Sequence, residues 1–107
     1  MSSATHYLAD VLKSLAQPTR LKIIDFLRDG ERCVCEIFPA IDEEQSNTSR
    51  HLTYMQTHGI LSRRKDGVKI YYAVKHPEVF EIIDRATAIV RREVEVRSGL
   101  INNVKRG

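Results

Sequence analysis

Between residues 45 and 74 the apolar pattern of the chain changes its period, and that change narrows the folds open to it. In "QSNTSRHLTYMQTHG" a stripe of Thr48, Leu52 and Met55 recurs at helical spacing, with Ser46 placed as N-cap and Gly59 as the stop. The opposite face shows Asn47, Arg50, Thr53 and Tyr54, which is polar, cationic and aromatic rather than acidic. In "ILSRRKDGVKIYYAV" the pattern becomes that of a hairpin. One strand runs from Ile60 to Lys65, a turn falls at Asp66-Gly67, and a β-branched and aromatic run follows from Val68 to Val74.

The rest of the chain reads as helices. The first runs from Thr5 to Leu15, with Tyr7, Leu8, Val11, Leu12 and Leu15 at helical spacing. "AQPTRLKIIDFLRDG" forms a second, with Pro18 in its first turn, Leu21, Ile24, Phe26 and Leu27 inward, and Gly30 as C-terminal cap. A short helix from about Cys33 to Ala40 turns Ile37 inward, and Pro77 opens a last helix that ends near Val96, before a frayed tail. The order helix, helix, short helix, helix, hairpin, helix gives a mainly α fold with a β-hairpin wing, the winged helix-turn-helix. In that fold the second helix of the pair enters the DNA major groove. The basic hairpin residues Arg63, Arg64, Lys65 and Lys69 would flank the duplex.

A length of 107 residues implies one domain. Residues 18–74 are expected to be the DNA-binding core and wing. Residues 4–16 and 77–97 carry apolar stripes that either complete the chain's own core or pair with a second copy. Their combined surface exceeds what one small core requires, which favours a homodimer.

Net charge is +3, too small to name a partner, but its distribution is uneven. Residues 31–44 hold five acidic side chains and one basic, and residues 46–72 hold five basic and one acidic. Such a block suits a polyanion, or simply a solvated surface. No glycine-rich phosphate loop, HExxH or nucleophile–base set is present, so an enzyme is not expected. No apolar run approaches the roughly 18 residues of a membrane span, and the start has no signal-like character, so a cytoplasmic location is expected.

The two cysteines, Cys33 and Cys35, lie in "GERCVCEIF" and are separated by one valine. They could be packing filler, a redox pair or part of a metal site. In a reducing compartment a structural disulfide is not expected, and residues so close could bridge only with strain. On a regular helix positions i and i+2 diverge by roughly 200°. One ion held by both sulfurs would then have to deform the start of the first helix of the pair. His51 and His58, seven apart, could form a metal pair, but a DNA-facing or cap-proximal role is commoner.

Four segments, "LAQPTRLKIIDFL", "GERCVCEI", "QSNTSRHLTYMQTHGIL" and "RRKDGVKIYY", resemble in order and spacing the arsenic- and metal-responsive ArsR/SmtB repressors over about residues 8–75. The resemblance implies a homodimeric winged helix-turn-helix repressor that leaves its operator when a metal ion or metalloid binds. It assigns DNA contact to Gln45, Ser46, Asn47, Ser49, Arg50, His51, Tyr54, Arg64 and Lys69, and places Cys33 and Cys35 on ligand positions. The chain departs from the pattern in having Phe38 where arsenite sensors often carry a third cysteine. It also lacks the N-terminal cysteines of cadmium and lead sensors, and histidines on the last helix. Thiolates select soft ions, two of them cannot complete a zinc tetrahedron, and pyramidal arsenic tolerates two sulfurs plus water or hydroxide. Arsenite or antimonite is therefore the expected inducer. His6 or a partner-chain group is the alternative third ligand, and a Cd, Pb or Zn sensor or a thiol-based redox sensor is the alternative function.

Overall fold

The computed structural model of the chain describes residues 2–106, with side chains for residues 3–99. In order the elements are α1 (Ser2–Leu15), α2 (Pro18–Phe26), β1 (Arg32–Cys33), α3 (Val34–Ala40), α4 (Gln45–Thr57), β2 (Leu61–Asp66), β3 (Lys69–Val74) and α5 (Glu78–Arg106). This is the expected mainly α fold with a hairpin wing. The short α3, a turn and α4 form the helix-turn-helix.

Local chemistry explains most boundaries. Pro18 opens α2, and Gln17 caps it by accepting the Arg20 N–H at 2.9 Å. Ile23, Ile24 and Leu27 then occupy the inward face, which turns Leu21 out to 41% exposure, against the inward place predicted for it. Phe26 is only half-buried. At α4 the N-cap is Glu44, without a side-chain cap bond, so Ser46 lies inside the first turn rather than capping it. Gly59 follows the helix with φ 78, and Gly67 opens the two-residue hairpin loop with φ 63, conformations that side-chain-bearing residues rarely adopt. Asp42, in the turn between α3 and α4, takes φ 57 without being glycine.

The hairpin strands each begin one residue later, α2 is capped at Leu27 in place of Gly30, and the larger differences from the sequence reading fall on three elements. Helix α1 begins at Ser2, and α5 continues through Arg106 in place of a frayed tail after Val96. Arg32 and Cys33 form a strand, not the start of a helix. They pair antiparallel with β3 (Arg32 opposite Tyr72, Cys33 opposite Tyr71), giving a three-stranded sheet in the order β1-β3-β2. A two-residue strand is too short to show any alternation, so its pattern was not visible.

The chain divides into two compact units, one ending at Pro77 and one beginning at Glu78. In the first, Ile23, Ile24, Leu27, Ile37, Leu52, Met55 and Leu61 are fully buried and form the core. On α1 the side chains of Tyr7, Leu8 and Leu12 are exposed. On α5, Ile82, Ile89, Val90 and Val94 are exposed, while Val79 near its start is buried. No helix among the described residues is long and apolar enough to cross a membrane.

Candidate nucleic-acid interface and thiol pair

Helix α4 presents three faces. Thr48, Leu52 and Met55 go inward as expected. Gln45, Ser49 and Thr53 line a groove shared with α3 and the hairpin, and Ser46, Asn47 and Arg50 line a separate shallow concavity. Arg50 is exposed, yet held. Its Nη2 donates to Asn47 Oδ1 at 2.6 Å, and Asn47 Nδ2 donates to Glu43 Oε2 at 3.2 Å. The other Glu43 oxygen accepts from Thr19 Oγ1 at 3.4 Å and lies 3.7 Å from Lys22 Nζ. A guanidinium aimed by such a relay loses less entropy when it meets a base or phosphate than a free one.

His51 is not on the exposed face to which sequence reasoning assigned it. It is 8% exposed, and its Nδ1 accepts from Arg20 Nε at 3.2 Å, so the neutral ring carries its proton on Nε2. Burial first, then the positive charges of Arg20 and Arg50, hold its pKa below the ordinary value, with Glu43 opposing. Tyr54 is half-buried beneath the Arg20 guanidinium, 3.7 Å from its ring centroid. The Tyr54 ring stacks on His58 at 4.1 Å, and His58 Nδ1–H donates to the Tyr54 carbonyl at 2.8 Å. Arg20 also donates from Nη1 to the Lys13 carbonyl at 3.3 Å. One side chain thus joins α1, α2 and α4. Sequence reasoning passed over Arg20 because its partners come from separate helices.

The hairpin carries four basic residues with different freedoms. Arg64 is engaged by Glu31, with Nη2 donating at 2.6 Å and Nε at 3.0 Å, and its guanidinium lies over Tyr71. The fork raises the Arg64 pKa and lowers that of Glu31. Arg64 is therefore held in place as an anchor of the hairpin. Arg63, Lys65 and Lys69 are exposed, and Arg63 and Lys69 line the groove facing Gln45 and Ser49.

The cysteines meet without any helix unwinding. Cys33 is the N-cap of α3, in extended conformation (φ −69, ψ 145), so only Cys35 is helical. Cys33 Sγ accepts from the Cys35 N–H at 3.2 Å, and Glu36 accepts from the Cys33 N–H at 3.1 Å. The structure joins the two sulfurs as a disulfide, with Cα atoms 5.1 Å apart. The expected divergence of the side chains fails because it assumed a helical Cys33. Cys33 is buried and Cys35 exposed, and both open onto the groove that carries Ser49 and Lys69. Among the described residues no three His, Cys, Asp or Glu cluster as a metal site, so neither His6 nor the pair His51 and His58 completes one.

Known proteins are similar to this chain in sequence and architecture. The sequence profile of the bacterial regulatory protein, arsR family, matches residues 17–63. The arsenical resistance operon repressor of Escherichia coli (strain K12) is 36% identical over 101 residues, covering 90% of this chain and 83% of that one. The arsenic resistance transcriptional regulator ArsR1 of Pseudomonas putida is 41% identical over 75 residues, or 69% of this chain and 58% of that one. Among solved structures, the homodimeric winged helix-turn-helix DNA-binding domain Mb0332 of Mycobacterium bovis, a possible ArsR-family regulator, superposes with a TM-score of 0.77 at 26% identity. That match covers 88% of this chain and 87% of that one. With helix-turn-helix, wing and profile in agreement, the chain belongs to the arsR family of bacterial regulatory proteins, and is a DNA-binding transcriptional regulator, not an enzyme.

Proposed function

We propose that the protein is a homodimeric repressor that holds operator DNA through α4 and the hairpin and releases it when As(III) or Sb(III) binds Cys33 and Cys35. One observation carries this reading: both cysteines open onto the groove between the DNA-reading helix and the wing. An inducer on the sulfurs therefore sits beside Gln45, Ser49, Arg63 and Lys69, and can act on the DNA-facing surface directly. Two thiolates suit pyramidal arsenic, with one position left for another ligand, and do not complete a zinc tetrahedron. The exposed apolar faces of α1 and α5 would each be covered by a second copy, as befits a chain similar to a homodimeric domain. The reading places the protein in the cytoplasm, with DNA and a thiol-reducing pool at hand.

A redox reading is the alternative, favoured by the joined sulfurs. Duplex DNA selected by the protein from a random pool separates the two readings by fluorescence anisotropy. The reduced protein should bind, arsenite should release it, and Cys33→Ser and Cys35→Ser should each bind yet stay bound when arsenite is added. Release by a disulfide-forming oxidant, with none by arsenite, would replace the metalloid reading with the redox one.

A further inference from the structure

Resting on that reading of the thiol pair, we propose that the site takes a trivalent arsenical with one carbon substituent, R–As(OH)₂, and seats the R group in the groove between α3, α4 and the hairpin. The valence count comes first. Trivalent arsenic makes three bonds, and the chain offers two sulfurs. A third bond already made to carbon leaves two exchangeable positions, so a dithiol saturates it.

The space beside the sulfurs gives the second reason. The groove is open on one side and offers about 530 Å³, far beyond the roughly 10–15 Å³ that one water or hydroxide needs by the same measure. Val34, Phe38, Ile70 and Tyr72 wall it next to Cys33 and Cys35. Phe38 lies three residues after Cys35, one turn along α3, so an aromatic ring faces the cavity where a third polar donor could have stood. Apolar and aromatic walls around a few placed reactive groups are the usual build of a small-molecule site.

The chemistry balances without redox change at arsenic. The disulfide is first opened by a thiol or phosphine reductant, which is itself oxidised. Exposed Cys35 then displaces one hydroxide from arsenic and buried Cys33 the other. Two As–O bonds break, two As–S bonds form, and the thiol protons leave in two waters. The As–C bond is untouched. The R group then lies between Ser49 of the reading helix and Lys69 of the hairpin, where it excludes DNA from that part of the surface.

The test uses reduced full-length protein on the selected duplex, titrated with arsenite, methylarsenite and phenylarsine oxide. The same three compounds are titrated against a free dithiol in solution. Phenylarsine oxide should release the protein at a concentration at least tenfold below arsenite, and its advantage over methylarsenite should exceed that in the free dithiol. Phe38→Cys should lower the arsenite concentration needed at least tenfold and shrink the preference. Its fold is checked by circular dichroism, and the size series on the parent decides the matter if it does not fold. Arsenite acting at equal or lower concentration than phenylarsine oxide would overturn the inference while leaving the repressor reading intact. A size preference no greater than that of the free dithiol would overturn it as well. If no arsenical releases the protein, the metalloid-sensing reading falls along with it, and the DNA-binding regulator remains.

Discussion

Arg20 and His51 meet at a single nitrogen, and the protonation of that nitrogen decides whether the contact attracts or repels. With Nδ1 unprotonated, it accepts the Arg20 Nε–H. With both ring nitrogens protonated, two cations face each other, Arg50 adds a third, and only Glu43 opposes them. The His51 pKa is held below its ordinary value in the folded protein, so the unfolded chain takes up a proton first as pH drops. The stabilisation is therefore complete above the ordinary histidine value of about 6.5 and is lost as pH falls through the lower folded value. Urea unfolding should show lower stability at pH 5 than at pH 7.5. In His51→Gln, whose amide oxygen can accept from Arg20, this part of the pH dependence should vanish; an unchanged profile would place the titration elsewhere. A second test is Thr48, whose Oγ1 is buried and has no hydrogen-bond partner among the described residues. Thr48→Val should leave stability unchanged or raise it by up to about 1 kcal/mol, since it removes a hydroxyl that pays desolvation without return. The sequence revealed that Thr48 points inward, because periodicity is local. It could not reveal Arg20 or the true place of His51, because a polar residue on a helix reads as solvent-facing until its partners from other helices are known.

Around the candidate site, legibility followed the length of the element. Helix α4 and the hairpin were readable because each repeats its period several times, whereas β1 has two residues and could be found only through its pairing with β3. That small strand rearranges the candidate site. It makes Cys33 an extended N-cap and lets the two sulfurs meet where a helical reading had kept them apart. The hairpin also sorts its cations. Glu31 occupies the Arg64 fork, while Lys69 is exposed at the mouth of the groove. Lys69→Ala should weaken binding to all duplexes alike and flatten the slope of log K against log salt by about one unit. Arg64→Ala should leave that slope unchanged and instead loosen the hairpin, read as faster amide exchange in β2 and β3. A salt slope that responds to Arg64 and not to Lys69 would reverse these roles.

For the whole molecule, the question is what covers the two apolar faces that the chain leaves in solvent. On α1, Leu8 is 59% exposed, and on α5, Val90 is also 59% exposed, each beside further apolar neighbours on its own helix. Burying the exposed part of such side chains gains about 1–2 kcal/mol apiece, which several together set against the cost of association. Assembly matters for reading DNA because a dimer binds two half-sites about 34–36 Å apart, while a monomer gains the contacts of only one. A charge placed in either apolar face should act on binding through the loss of the second half-site alone, without touching a residue of α4 or the hairpin. Leu8→Asp and Val90→Asp should each shift the protein from dimer toward monomer in sedimentation at micromolar concentration, with far-ultraviolet dichroism retained. Affinity for a two-half-site duplex should fall at least tenfold, while affinity for a single half-site stays within about twofold, because the reading surface is intact and only the second contact is lost. Equal losses on both duplexes would mean that the substitution had disturbed α4 itself, and the apolar faces would need another explanation.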